Sequence, residues 1–165
     1  MLARMTRLRI REAVEADVPL IAALIRELAD YETLLHEVRM TEERLGSGLF
    51  GSHPYAEVAI AEDPAGETLG FALFFHNFST FLGLPGIYLE DLFVRPAHRG
   101  LGVGRALLQH LARVARERGC GRLEWSVLDW NETAIGFYRR LGARANDGWT
   151  VYRLDGDALE RLAAS

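Results

Sequence analysis

Residues 87–105 read Ile87-Tyr-Leu-Glu-Asp-Leu-Phe-Val-Arg-Pro-Ala-His-Arg-Gly-Leu-Gly-Val-Gly-Arg105. Ile87 to Val94 is apolar apart from Glu90 and Asp91, the composition of a strand covered on both faces. Pro96 ends it, because proline has no N–H to give a ladder. From Val103 the apolar residues recur at Leu107, Leu111 and Val114, which is helical spacing. Between strand and helix lies Arg99-Gly100-Leu101-Gly102-Val103-Gly104-Arg105. A helix start leaves backbone N–H groups without intrahelical partners, and the macrodipole adds positive character there. Glycines let a ligand approach that backbone, and Arg95, Arg99 and Arg105 add charge, so the turn suits an anion such as phosphate. A glycine-rich loop that only turns a corner is the plainer alternative. A P-loop is excluded, since no Gly-Lys-Ser/Thr occurs and the chain contains no lysine. A dinucleotide fingerprint is disfavoured by the Gly-x-Gly-x-Gly spacing and the long basic loop.

Outward from this stretch, the 165 residues suit one domain, residues 1–165, able to bury roughly two thirds of its unfolded surface. A net charge of −4 argues against a nucleic-acid partner. No run approaches the ~20 apolar residues that span a bilayer, so no membrane partner is expected. Arginines crowd the first strand but no apolar run follows, so no signal peptide is expected. One cysteine, Cys120, suits a reducing cytoplasm; with no histidine expected beside it, a nucleophilic role is disfavoured. No metal site is expected.

Arg7–Glu12 reads as a first strand. Asp17 and Pro19 open a helix to about Glu32, and a second covers Thr41–Phe50. Tyr55–Glu62 and Thr68–His76 form a hairpin about Asp63-Pro64-Ala65-Gly66-Glu67. Asn77–Gly86 reads as an aromatic loop. Arg122–Leu128 is a strand, and Asn131 caps a helix closed by Gly142. Trp149–Leu154 reads as a last strand, followed by a helix over Asp155–Ala164.

Arg99-x-x-Gly102-x-Gly104 after such a strand, with a later strand and an Asn131…Tyr138 helix, resembles the acetyl-CoA loop of the GNAT superfamily of N-acetyltransferases. Leu28-Ala-Asp-Tyr31-Glu32, Gly48-x-Phe50-Gly-x-His53-Pro54, Tyr88-Leu-Glu-Asp-Leu-Phe-Val94 and Gly148-Trp149 are similar to its diamine (spermidine/spermine) group. Ser79-Thr80-Phe81 and Val127-Leu-Asp-Trp-Asn131 are closer to that group's thialysine Nε-acetyltransferase branch. The resemblance implies an α/β fold with a central twisted mixed sheet of about six or seven strands and helices on both faces. It implies acetyl-CoA as co-substrate, a small-molecule amine acceptor, and a homodimer. Two parallel strands would splay, leaving the backbone of Leu92, Phe93 and Val94 to the coenzyme arm. Arg99, Gly100, Leu101, Gly102, Val103, Gly104 and Arg105 would hold the diphosphate, with Asn131, Ala134 and Tyr138 also on the coenzyme. Tyr31, Glu32, Glu90, Glu124, Trp125, Ser126, Asp147 and Trp149 match the amine-binding positions; carboxylates and ring faces suit a cation.

Acetyl transfer needs the amine to lose a proton, since an ammonium of pKa ~10 has no lone pair. It needs donors for a developing oxyanion, for which the amides near Leu92–Phe93 serve. It also needs a proton for the departing thiolate, a role that matches Tyr138. Glu90 is the candidate base, directly or through water. Competing structural roles are a core position for Tyr138, a helix cap for Asn131, and buried ion pairs to arginine for Glu90 and, preferentially, Asp91. Alternation puts Glu90 and Asp91 on opposite faces unless a bulge intervenes. Uncharged Phe78-Ser79-Thr80-Phe81 replaces a loop that carries Asp in diamine acetyltransferases, which favours a lysine-like amine over a long polyamine. A peptide acetyltransferase and a non-catalytic acyl-CoA sensor are the alternative functions.

Overall fold

A computed structural model describes residues 8–165. The first strand expected from Arg7 is present from Arg9, and Arg7 lies outside the described residues. In chain order the elements are β1 (Arg9–Glu12), α1 (Val18–Tyr31), α2 (Glu42–Phe50), β2 (Glu57–Glu62), β3 (Thr68–Ser79) and β4 (Leu84–Val94). Then come α3 (Val103–Glu117), β5 (Leu123–Trp125), α4 (Glu132–Arg140) and α5 (Gly156–Ala163). The chain divides into two compact units, one through Ser126 and one from Val127 to Ser165.

In the first unit the strands lie in the order β1-β2-β3-β4-β5. All neighbours are antiparallel except β4 and β5, which are parallel. Strand alternation divides the core. Val58, Ile60, Phe71 and Phe93 face α1 and α2, where they meet Ile21, Leu24, Leu28 and Leu49. Ala59, Ala72, Ile87 and Leu89 are buried on the opposite side, where α3 contributes Val103, Leu107, Leu108 and Leu111. Helices therefore cover both faces, as expected. Thr41 Oγ1 accepts from Arg44 N at 3.2 Å and caps α2. Asp17 precedes α1 without capping it, because Arg11 donates to both of its oxygens at 2.7 and 2.9 Å and Val14 N to one at 2.8 Å.

Four sequence expectations change. The sheet among the described residues has five strands, not six or seven. The segment Trp149–Leu154 forms no strand, and Val151 and Tyr152 stand 86% and 92% exposed. An alternating pattern makes a strand possible, but a strand persists only against a ladder partner. The loop expected over Asn77–Gly86 is instead mostly hairpin, with Asn77↔Gly86, Phe78↔Pro85 and Ser79↔Leu84 in register. Pro85 is tolerated there because its missing N–H costs nothing at a position that does not donate. The strand expected over Arg122–Leu128 pairs only at Leu123–Trp125.

In the second unit, Asn131 Oδ1 accepts from Ala134 N at 3.1 Å and caps α4, as the sequence suggests. Neither α4 nor α5 buries a residue fully.

Candidate active site

The site grows from one irregularity in β4. Leu89 pairs with Phe74 and Asp91 with Leu73, so Glu90 is an extra residue that no β3 residue opposes. This is a β-bulge, and it changes which face the following side chains occupy. Leu89 shares a face with Phe74, away from α1, whereas Asp91 shares one with Leu73 and Phe93 lies in the α1 cluster. The bulge thus brings Asp91 to the α1 side beside Glu90, where plain alternation would have separated them. Just there the parallel ladder stops: its last pair is Leu89↔Trp125. From Glu90 to Val94 the strand keeps, among the described residues, only its β3 neighbour.

Asp91 is the residue that sequence reasoning undervalued. The expected ion pair to arginine is absent: among the described residues none is formed by Asp91 or Glu90. Burial, then the charges of Glu90 and Glu32, push the Asp91 carboxyl from 3.8 up to about 6. Glu32, at the end of α1, is itself raised by burial. Only the neighbouring Glu90 hinted at this, because a bulge is not visible in residue types. Glu90 is exposed.

At the far end of β4, Arg99 lies over the Tyr31 ring, its guanidinium carbon 4.1 Å from the centroid and 5.8 Å from that of Phe93. Its Nε donates to Val94 O at 2.9 Å. Arg95, expected to add charge to the glycine loop, is bound to both Glu27 oxygens and to Thr68 O. The loop itself has the backbone of an anion cradle. Gly100 and Gly102 have φ of 76° and 83°, the left-handed region that side chains resist. Gly102 opens α3, and no side chain caps the first-turn amides of Val103, Gly104 and Arg105. These amides, the open Gly100 and the released edge of β4 fit a ligand with a diphosphate and a polar extended arm. Leu92 is brought to the other face of the sheet, opposite Ala72, so only its backbone belongs to this edge.

The expected trio on β5 is not one group. Glu124 stands level with Tyr88, and Ser126 Oγ lies 2.7 Å from Tyr88 Oη on the same face. Trp125 stands level with buried Leu89, on the opposite face. In the second unit Ala134 and half-buried Tyr138 lie on α4, with the Tyr138 and Phe137 rings 5.3 Å apart. Asp147 and Trp149 lie in exposed irregular backbone.

Cys120 does have a histidine beside it, contrary to expectation. Its Sγ is 3.8 Å from His76 Nδ1, a neighbour supplied by strand pairing rather than by sequence. His76 Nε2 accepts from Arg118 at 2.9 Å, so the ring proton is assigned to Nδ1, 3.1 Å from Gly86 O. That tautomer has no lone pair left for the thiol proton. Among the described residues no cluster of His, Cys, Asp or Glu has metal-binding form, and no helix is long and apolar enough to cross a membrane.

Residues 21–143 match the model of the Acetyltransferase (GNAT) family. The chain is 39% identical to thialysine N-epsilon-acetyltransferase of Sus scrofa, covering 96% of this chain and 99% of that protein. It is 35% identical to L-ornithine N5-acetyltransferase of Arabidopsis thaliana, over 93% and 87% respectively. Among solved structures, an integron cassette protein from the mobile metagenome of V. cholerae is similar with a TM-score of 0.80. The two are 30% identical over 97% of this chain and 99% of that one. With its glycine cradle, bulged strand and interrupted ladder, this chain belongs to the Acetyltransferase (GNAT) family.

Proposed function

We propose that the chain moves an acetyl group from acetyl-CoA to the primary amine of a small cationic substrate, by direct attack of the amine. The observation that carries this reading is the bulge, which sets Glu90 and Asp91 on one face of β4 just past the last β5 pair. GNAT acetyltransferases use acetyl-CoA as co-substrate. In this reading Arg99 to Arg105 hold the diphosphate, and the backbone of Leu92, Phe93 and Val94 holds the arm. Arg99 would exchange its bond to Val94 O for the anion. Asn131 and Ala134 add contacts from α4. Bound there, acetyl-CoA supplies an acyl thioester already activated toward amines.

The chain's own groups then handle protons and charge. Tyr31, Glu32, Asp147 and Trp149 receive the cation, with Glu124 and Ser126 toward the substrate's far end; Trp125, on the opposite face, is left out of the acceptor site. Glu90 takes the amine's proton, directly or through a water. Asp91 stands beside it with a proton affinity raised toward the working range of a general base. Tyr138 gives its phenolic proton to the departing thiolate. The thialysine and ornithine acetyltransferases among the relatives, and the uncharged Phe78–Phe81 turn, support a lysine-like amine over a polyamine. A single domain, a reducing compartment and a homodimer complete the reading. The free Cys120 supports the second, and the exposed Phe78, Phe81 and Leu82 the third.

Thiol release from acetyl-CoA across lysine analogues, polyamines and a short peptide tests the reading. Turnover is expected with the lysine analogues; none with any amine would overturn it. Tyr138→Phe is expected to lower kcat by about 10²-fold; an unaltered kcat would remove Tyr138 from the mechanism.

A further inference from the structure

A second polar group stands on the same sheet face as Asp91, toward the start of β5. Strand register sets Asn77 opposite Gly86 and Tyr88 level with Glu124. Asn77 Nδ2 donates to Glu124 Oε2 at 2.9 Å. Arg122 Nε lies 2.9 Å from that same oxygen. Its N–H is not directed at it, however, and buried Nε makes no hydrogen bond; nor does buried Asn77 Oδ1. Glycine at position 86 is what allows this crowding. A Cβ there would fall 2.3 Å from Asn77 Oδ1 and 3.1 Å from Arg122 Cγ. One unmet donor and one unmet acceptor are therefore held side by side, which is costly unless something else completes them. Arg122 and Glu124 remain 37% and 34% exposed, so their pair is weak, open to solvent and readily exchanged for a ligand's charges.

Resting on the amine-acetylating reading above, we propose that Arg122, Glu124 and Asn77 form the head-group subsite for an α-amino acid whose side-chain amine reacts at β4. The Arg122 guanidinium takes the α-carboxylate, a planar donor fork against a planar acceptor. Glu124 and Asn77 Oδ1 take the α-ammonium. The spacing fits. From the Tyr88–Glu124 level to the bulge is two or three residues at ~3.3 Å each, or roughly 7–10 Å. That is the reach of an extended lysine-like side chain. A plain diamine would bring a second cation toward Arg122 with no carboxylate to meet it, so the same arginine selects against polyamines.

The test compares kcat/KM for lysine and S-(2-aminoethyl)cysteine with that for cadaverine, the decarboxylated counterpart of lysine. The wild-type protein is expected to favour the amino acids by at least about tenfold, chiefly through KM. Arg122→Met is expected to bring the ratio toward unity, and Arg122→Lys to restore part of it. Arg122→Gln, read in the same way, guards against a folding defect in the methionine variant. A wild-type ratio at or below unity, or one that neither neutral variant alters, overturns the subsite while leaving amine acetylation standing. Failure of the wild-type protein to acetylate any of these amines overturns both.

Discussion

The two halves of β4 share a strand and little else. Leu84–Leu89 pairs with β3 along its whole length and with β5 at its last three residues, and it sinks Ile87 and Leu89 into the α3 side of the core. Glu90–Val94 has β3 on one edge and, among the described residues, no strand on the other, and it carries two carboxylates. One inserted residue, Glu90, marks the boundary. It turns the strand so that Asp91 faces α1, while β5 ends at Trp125 and frees the other edge. In the first half the backbone is committed to the sheet and burial stabilises the fold. In the second, backbone and charge are held available, at a cost in stability, for something other than the sheet. Substitutions in the two halves should therefore differ in kind as well as in size.

The largest effect should come from the committed half. Leu89 is 1% exposed, and Leu89→Ala is expected to cost about 2–5 kcal/mol of unfolding free energy, read as a lower urea midpoint. A cost below about 1 kcal/mol would mean that this half is no better packed than the other, and the contrast would fail.

Asp91 should behave in the opposite way. Its carboxyl titrates at about 6 in the folded protein against an ordinary 3.8. Between those values the folded state holds more proton than the unfolded one, so stability falls as pH rises through the window. The loss is complete above about 6 and absent below 3.8. Asp91→Asn cannot ionise. It is expected to be more stable than wild type at pH 7, by up to about 3 kcal/mol, with the gain fading as the pH is lowered toward 4. Urea midpoints across that range decide it. A gain that persists undiminished at pH 4, or a loss at pH 7, would show that the carboxylate is held by favourable partners and that this half stores no such cost.

The sequence announced those parts that depend on neighbours along the chain. Gly100 and Gly102 take the backbone that their type permits, and Asn131 caps α4. What it did not announce depends on partners far away in sequence. The bulge is defined only against Leu73 and Phe74, the histidine next to Cys120 arrives from β3, and Arg95 is taken by Glu27 on α1. Trp149–Leu154 has a strand's alternation but no ladder, and Trp125 is turned from Glu124 by the alternation that its own strand imposes. The glycine loop was thus easier to read as an anion cradle than the acceptor side was to assemble. The former follows from a loop's composition; the latter needs the register of three strands.

The smallest effect sharpens the contrast from outside the sheet. Helix α4 buries no residue fully, so local interactions carry more of its stability than they do in β4. Its clearest local interaction is the bond from Ala134 N to Asn131 Oδ1. Asn131→Ala leaves that amide to water and is expected to cost about 1 kcal/mol, whereas Asn131→Asp keeps an acceptor and adds a charge that the helix start favours. The aspartate variant should therefore match wild type in its urea midpoint. Any weakening of coenzyme A binding in that variant then reports on the proposed contact alone, because the cap is intact. If the alanine and aspartate variants lose stability equally, the cap is not what Asn131 contributes, and α4 is held by packing after all.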